Sequence, residues 1–259
     1  MTNSPDFGMA LGRLLDGRGV GVQHLADLAG VTADEIRAVL ARETPGEGLL
    51  RRLATALGFH AVDLFVLAGV EVPADLAPLD AAAASWVPNI VMDAVHLPSA
   101  GRRELLQIIR SLPREERRSR FAPEKPAPLA DSPGGRLIRM CRYRNLKWSG
   151  LAHILAVVTP TYLSTSTYGV ISDGHKELTP RLVTDFAAIL GIEARELAAL
   201  TGVFLPETPE PAAPEAVDAA ALLWEVRCLS ATQAQHVAEL ADSMRGDSRT
   251  EYRLNLPAW

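Results

Sequence analysis

Apolar residues recur along this chain with the spacing of helices. Leu11, Leu14 and Leu15 fall on one face, as do Leu49, Leu50, Leu53, Ala56 and Leu57. Helix starts are marked by Thr32 with Glu35 three residues on, a capping-box arrangement, and by Thr159-Pro160 and Thr179-Pro180, each a hydroxyl followed by proline. Gly58 and Gly191 stand where a left-handed C-terminal residue is wanted. No stretch alternates with period two, so the pattern predicts an all-α fold.

The pattern also occurs twice. Leu25-Ala-Asp-Leu-Ala-Gly-Val-Thr32 is echoed by Leu151-Ala-His-Ile-Leu-Ala-Val-Val-Thr159, and Leu57-Gly-Phe-His-Ala-Val-Asp-Leu64 by Leu190-Gly-Ile-Glu-Ala-Arg-Glu-Leu197. Leu67-Ala-Gly-Val70 matches Leu200-Thr-Gly-Val203, Pro73 matches Pro206, and the Ala-rich run ending at Trp86 matches the one ending at Trp224. The segment Leu97–Leu112 parallels Leu229–Met244. Matches in one order, with a separation that runs from 126 to 138 and back to 132, indicate a tandem duplication with insertions in loops.

Proline and charge supply the boundaries. Pro113–Pro128 lacks apolar periodicity and predicts an extended, flexible linker; Glu71–Pro78 and Leu205–Pro214 predict shorter ones. The expected organisation is a first unit at 1–72, a helical pair at 79–112, a linker at 113–133, a second unit at 134–205, a helical pair at 215–246 and a tail at 247–259.

Composition narrows the function classes. Hydrophobic residues make up 48% and charged residues 22% of 259, the balance of a globular protein. Two cysteines, Cys141 and Cys228, provide neither a disulfide framework nor a CxxC pair, and the six histidines show no ligand spacing, so no metal and no cofactor is expected. No apolar run reaches the roughly 18 residues of a membrane span, and the polar N-terminus does not read as a signal. A cytoplasmic location without membrane contact is expected. Motifs for a nucleophile elbow, a phosphate loop or a zinc protease are missing, so no enzyme is expected. Asp173–Lys176 reads as a turn, and Trp86 and Trp224 as core anchors.

Leu25, Ala26, Gly30, Val31, Thr32 and Ile36, followed by Leu53, Ala54, Leu57, Gly58 and Leu64, resemble the Cro/cI-type, lambda-repressor-like helix-turn-helix proteins of the XRE family. Leu151, Ala152, Val158, Thr159, Leu163, Gly169, Phe186, Ala187, Leu190, Gly191 and Leu197 resemble them in the second copy. The resemblance covers residues 8–70 and 134–203. It implies two five-helix domains, each followed here by a helical pair, and a transcriptional regulator whose partner is double-stranded DNA. In that family the second motif helix enters the major groove. Carried over, the reading positions are Ala33, Asp34, Glu35 and Arg37 in copy one and Pro160, Thr161, Tyr162 and Ser164 in copy two, with Gln23, Thr32 and Thr159 beside them.

Charge separates the copies. Residues 8–60 hold six arginines against six carboxylates, whereas residues 134–192 hold seven cations, among them Arg136, Arg139, Arg142, Arg144 and Lys147, against three carboxylates. Phosphate neutralisation supplies most non-specific affinity, so copy two is the expected stronger binder. Two features motivate an alternative, a protein-interaction adaptor that has lost DNA binding: the acidic helix start Asp34-Glu35, and Val22 and Trp148 where the family commonly has Gln. Leu105, Leu106, Ile108, Ile109 and Leu112 could serve a homodimer, a protein partner or effector sensing.

Overall fold

The computed structural model describes residues 6–117, 121 and 131–254, with side chains through residue 246. Among these residues every regular element is helical. Copy one contains α1 (Phe7–Arg18), α2 (Val22–Ala29), α3 (Ala33–Leu40), α4 (Glu47–Leu57) and α5 (Ala61–Ala68), then a 3-10 turn at Ala81–Ser85, α6 (Val87–Ala94) and α7 (Ser99–Ser111). Copy two contains α8 (Pro133–Arg142), α9 (Trp148–Val158), α10 (Thr165–Ser172), α11 (Pro180–Leu190) and α12 (Ala194–Thr201), then α13 (Pro214–Val226) and α14 (Ala231–Leu254). Helix α14 thus continues past residue 246, where the pair was expected to end. No helix among the described residues is long and apolar enough to cross a membrane.

The local reasons for these elements repeat between copies. Thr32 and Glu35 form the reciprocal capping box of α3, and Gly58 and Gly191 close α4 and α11 at φ of 73° and 71°. A glycine in each first helix seats the end of the third. A Cβ on Gly8 would stand 2.3 Å from the Val39 carbonyl oxygen, and one on Gly134 would stand 2.6 Å from that of Ile171. Only a residue without Cβ lets these helices approach so closely.

The copies pack against each other reciprocally. Helix α1 lies on α12 and α5 on α8; α6 lies on α14 and α7 on α13. First-copy elements meet second-copy elements in matched pairs, the isologous pattern of a two-fold dimer, here within one chain. The same reciprocity fixes the polar contacts. Arg144, just after α8, donates to both carboxylate oxygens of Asp63 on α5 at 2.8 Å and to the Leu190 carbonyl that ends α11 at 3.0 Å. Arg18, at the end of α1, donates to Glu196 on α12 at 2.6 Å and to the Leu57 carbonyl that ends α4 at 2.9 Å. Arg102 on α7 pairs with Asp218 on α13 at 2.6 Å, and Arg245 on α14 with Asp93 on α6 at 2.9 Å.

Three expectations are corrected here. The copies are not beads on a flexible tether, because burial of apolar surface and paired charges between them fixes their relation. The described start of the linker is itself docked: Gln233 donates to the Pro113 carbonyl and Arg117 to the Ala77 carbonyl, both at 2.8 Å. Residues 118–120 and 122–130 of that linker, and residues 255–259 of the tail, lie outside the described residues, and the linker's last residue, Pro133, already opens α8. Most of the apolar run of α7 is spent inside the molecule, with Leu105 and Ile109 buried and Leu106 and Leu112 packed against the core, while Ile108 is half-buried. Trp86 and Trp224 do not occupy matching places: Trp86 opens α6, whereas Trp224 lies near the end of α13 and stacks on His60 with centroids 3.4 Å apart.

Candidate nucleic-acid interface

In copy one, Gly30–Thr32 joins α2 to α3 by a tight turn, and the buried Ile36 and Val39 leave Asp34 and Arg37 facing outward. The polar groups of this face are engaged with one another. Glu35 accepts from the Thr32 amide at 2.8 Å and from its hydroxyl at 2.9 Å, and the amide bond chiefly holds its carboxyl below the usual carboxylate range. Arg37 pairs with Asp34 at 2.5 Å, and Gln23 donates to Asp27 at 3.0 Å. Thr32 and Glu35 therefore cap a helix, and the charge of Arg37 is matched on its own turn.

Copy two is built differently. Helix α9 has 11 residues against 8 in α2, and six residues (159–164) precede α10 where copy one has three. The expected helix start at Thr159-Pro160 is therefore displaced to Thr165. Thr159 instead ends α9: its hydroxyl donates to the Leu155 carbonyl at 2.6 Å and accepts from the Thr161 amide at 3.2 Å. The Thr161 hydroxyl is spent on the buried carboxylate of Asp185, which also accepts from Arg181 at 3.3 Å. Pro160, Thr161 and Tyr162 thus lie on a loop, where Tyr162 is 87% exposed, and Ser164 is the N-cap residue of α10.

Helix α10 turns Tyr168 and Ile171 fully inward, with Tyr168 edge-on to Phe186, and leaves Thr165, Ser166 and Val170 exposed. The Ser164 hydroxyl lies 2.9 Å from that of Ser166 and 3.0 Å from that of Thr167. The segment from Thr159 to Ser172 contains no carboxylate. Thr165, Ser166 and Val170 were absent from the sequence-derived positions. The signal for them was the Tyr168/Ile171 spacing, overshadowed by the Thr-Pro pair upstream.

The basic residues divide. Arg144 is fully enclosed and Arg136 is buried on Asp131 at 2.9 Å, so neither reaches a phosphate; both are structural groups. Arg139 and Arg142 are half-buried, with Arg142 lying over the Trp148 ring at 4.9 Å, and Lys147 is exposed as the N-cap residue of α9. Arg139 and Arg142 stand in the later part of α8 and Lys147 at the start of α9, while Tyr162 precedes α10 and Ser164, Thr165 and Ser166 form its start.

Among the described residues no group of three or more His, Cys, Asp or Glu could hold a metal ion. Cys141 is buried, which pushes its thiol up to about 12 and makes it unreactive as a thiolate. No family model, curated protein or solved structure matches this chain.

Proposed function

We propose that this chain is a sequence-specific, double-stranded DNA-binding transcriptional regulator of helix-turn-helix type, acting in the cytoplasm, with copy two as the binding copy. The observation that carries the reading is the outward side of α10, which offers Thr165 and Ser166 hydroxyls to a partner with no carboxylate along the segment. Hydroxyls donate to phosphates and both donate to and accept from base edges, while a carboxylate would be repelled by both backbone strands. In this reading Ser164, Thr165 and Ser166 approach base edges, Tyr162 lies against the sugar-phosphate wall, and Arg142 and Lys147 neutralise phosphates. Copy one holds its partner rigid through α1 and α5 and contributes little contact, since Arg37 and Glu35 are internally engaged. A pseudo-two-fold molecule would then bind as one asymmetric unit, without the palindromic half-sites that two equal readers require.

The pairing of Asp34 with Arg37 favours the second reading for copy one alone, that its third helix meets a protein. Selection of bound duplexes from a random pool, followed by mobility shifts at several salt concentrations, tests the proposal. A recovered motif whose affinity falls steeply with salt supports it. Failure to retain any duplex at low salt transfers the assignment to the adaptor.

A further inference from the structure

We infer that the cavity between the two copies, walled by Arg13 and the first turn of α8, binds a small monoanionic organic acid with an apolar body, and that its occupancy acts on the seat of α10. The cavity holds about 490 Å³, within the size range of sites that enclose small ligands. Its polar wall is cationic and under-partnered. Arg13 reaches it from α1, with Nε donating to the Ala199 carbonyl at 2.7 Å. Its Nη2 is enclosed without a hydrogen-bond partner, and no carboxylate pairs with Arg13 among the described residues. Arg13 is half-buried in this lining and no described carboxylate offsets its charge, so the cavity favours an anion beside the guanidinium. Lys176 adds a second, exposed cation.

The first turn of α8 adds dipole and a donor. Ser132 takes the Gly135 amide at 3.0 Å and Pro133 has no N–H, which leaves the Gly134 amide without a partner among the described residues. The opposite wall is apolar: Leu178, Val203 and Phe204, the last 81% exposed and therefore an aromatic ring with little intramolecular cover. Glu177 is the one carboxylate of the lining. With two cations facing it, the wall suits one negative charge better than two.

The cavity also touches what holds α10. Gly134 is the residue whose missing Cβ admits the Ile171 carbonyl, and the loop carrying Lys176 and Leu178 leaves α10 directly. A ligand bridging Gly134 and Lys176 contacts both sides of that seat. This second part of the inference rests on the DNA-binding reading; the site itself does not.

Calorimetric titration of the full chain with 2-naphthoate and with neutral 2-naphthamide tests it. Saturable binding of the acid is expected, with the amide about tenfold or more weaker, because a charged hydrogen bond is lost. Arg13→Met is expected to weaken the acid about tenfold, and so is Lys176→Gln, a loop variant that leaves the core untouched. Absence of saturable binding, equal affinity for acid and amide, or unchanged affinity in both variants overturns the site. Duplex affinity is then measured with and without 2-naphthoate. A change supports the coupling and no change overturns it. Acid binding by a chain that retains no duplex overturns only the DNA reading, and duplex binding without acid binding overturns only the site.

Discussion

Arg144 and Asp63 stand 81 residues apart in the chain and meet through two hydrogen bonds of 2.8 Å, both side chains fully buried. The pair is one of two equivalent bridges across the pseudo-two-fold. The other, Arg18 with Glu196, keeps side-chain exposures of 27% and 22%. Breaking a buried pair strands an uncompensated charge. Asp63→Ala is therefore expected to cost about 3–5 kcal/mol in urea unfolding, and Glu196→Ala about 1 kcal/mol. Equal costs would remove the distinction between the bridges. The double variant Arg144→Met with Asp63→Leu is expected to be milder than Asp63→Ala, because it leaves no orphan charge.

The same burial governs a histidine. His60 stacks on Trp224, and burial, aided by Arg144 and Arg227 and opposed by Asp63, lowers its pKa to about 4. The unfolded chain binds a proton near pH 6.5, the folded chain only near 4, so between these values the unfolded state carries more protons. Stability is fully present above about pH 6.5 and declines as pH falls toward 4, by about 2 kcal/mol after allowance for the exposed ring edge. His60→Phe is expected to flatten that stretch of the stability-versus-pH curve; an unchanged slope would assign it to other groups.

Helix seating gives a third expectation. Gly8→Ala and Gly134→Ala place a Cβ 2.3 Å and 2.6 Å from carbonyl oxygens of α3 and α10. Each is expected to destabilise by about 1–3 kcal/mol through overpacking, as read from thermal unfolding. Gly17→Ala, in open space on α1, serves as the control and is expected to be neutral or slightly stabilising.

On the proposed DNA-binding reading, burial decides which basic residues can meet a phosphate. Lys147→Ala and Arg142→Ala are each expected to reduce the slope of log affinity against log salt by about 1, whereas Arg144→Met changes stability instead. Mobility shifts across a salt series distinguish these effects.

Helix content was legible because its signals are local: leucine spacing, the Thr32/Glu35 box and glycines after α4 and α11. The long-range pairing was not. An arginine near a helix end has the same letter whether it faces solvent or a carboxylate from the other copy, so Arg144 joined the count of exposed cations. The trace that it left in the sequence is a doubled correspondence: Arg18 recurs as Arg144, and the acid at Asp63 recurs at Glu196. At the site, Thr159-Pro160 carries a helix-start signature, yet Thr159 bonds backward to Leu155 and closes α9. The inserted loop then moves the start of α10 to Thr165, exposing Ser166 and Val170.

The central claim is that α10 is the surface that meets DNA. The direct measurement is duplex affinity, by fluorescence anisotropy on a selected site, of a Thr165→Glu/Ser166→Glu variant whose helix content and unfolding midpoint match the parent. Two carboxylates at the contact are predicted to weaken binding at least about a hundredfold, with a parallel Asp34→Lys variant nearly unchanged in affinity. Unaltered affinity in the α10 variant, or a loss confined to changes on α3, would contradict the account.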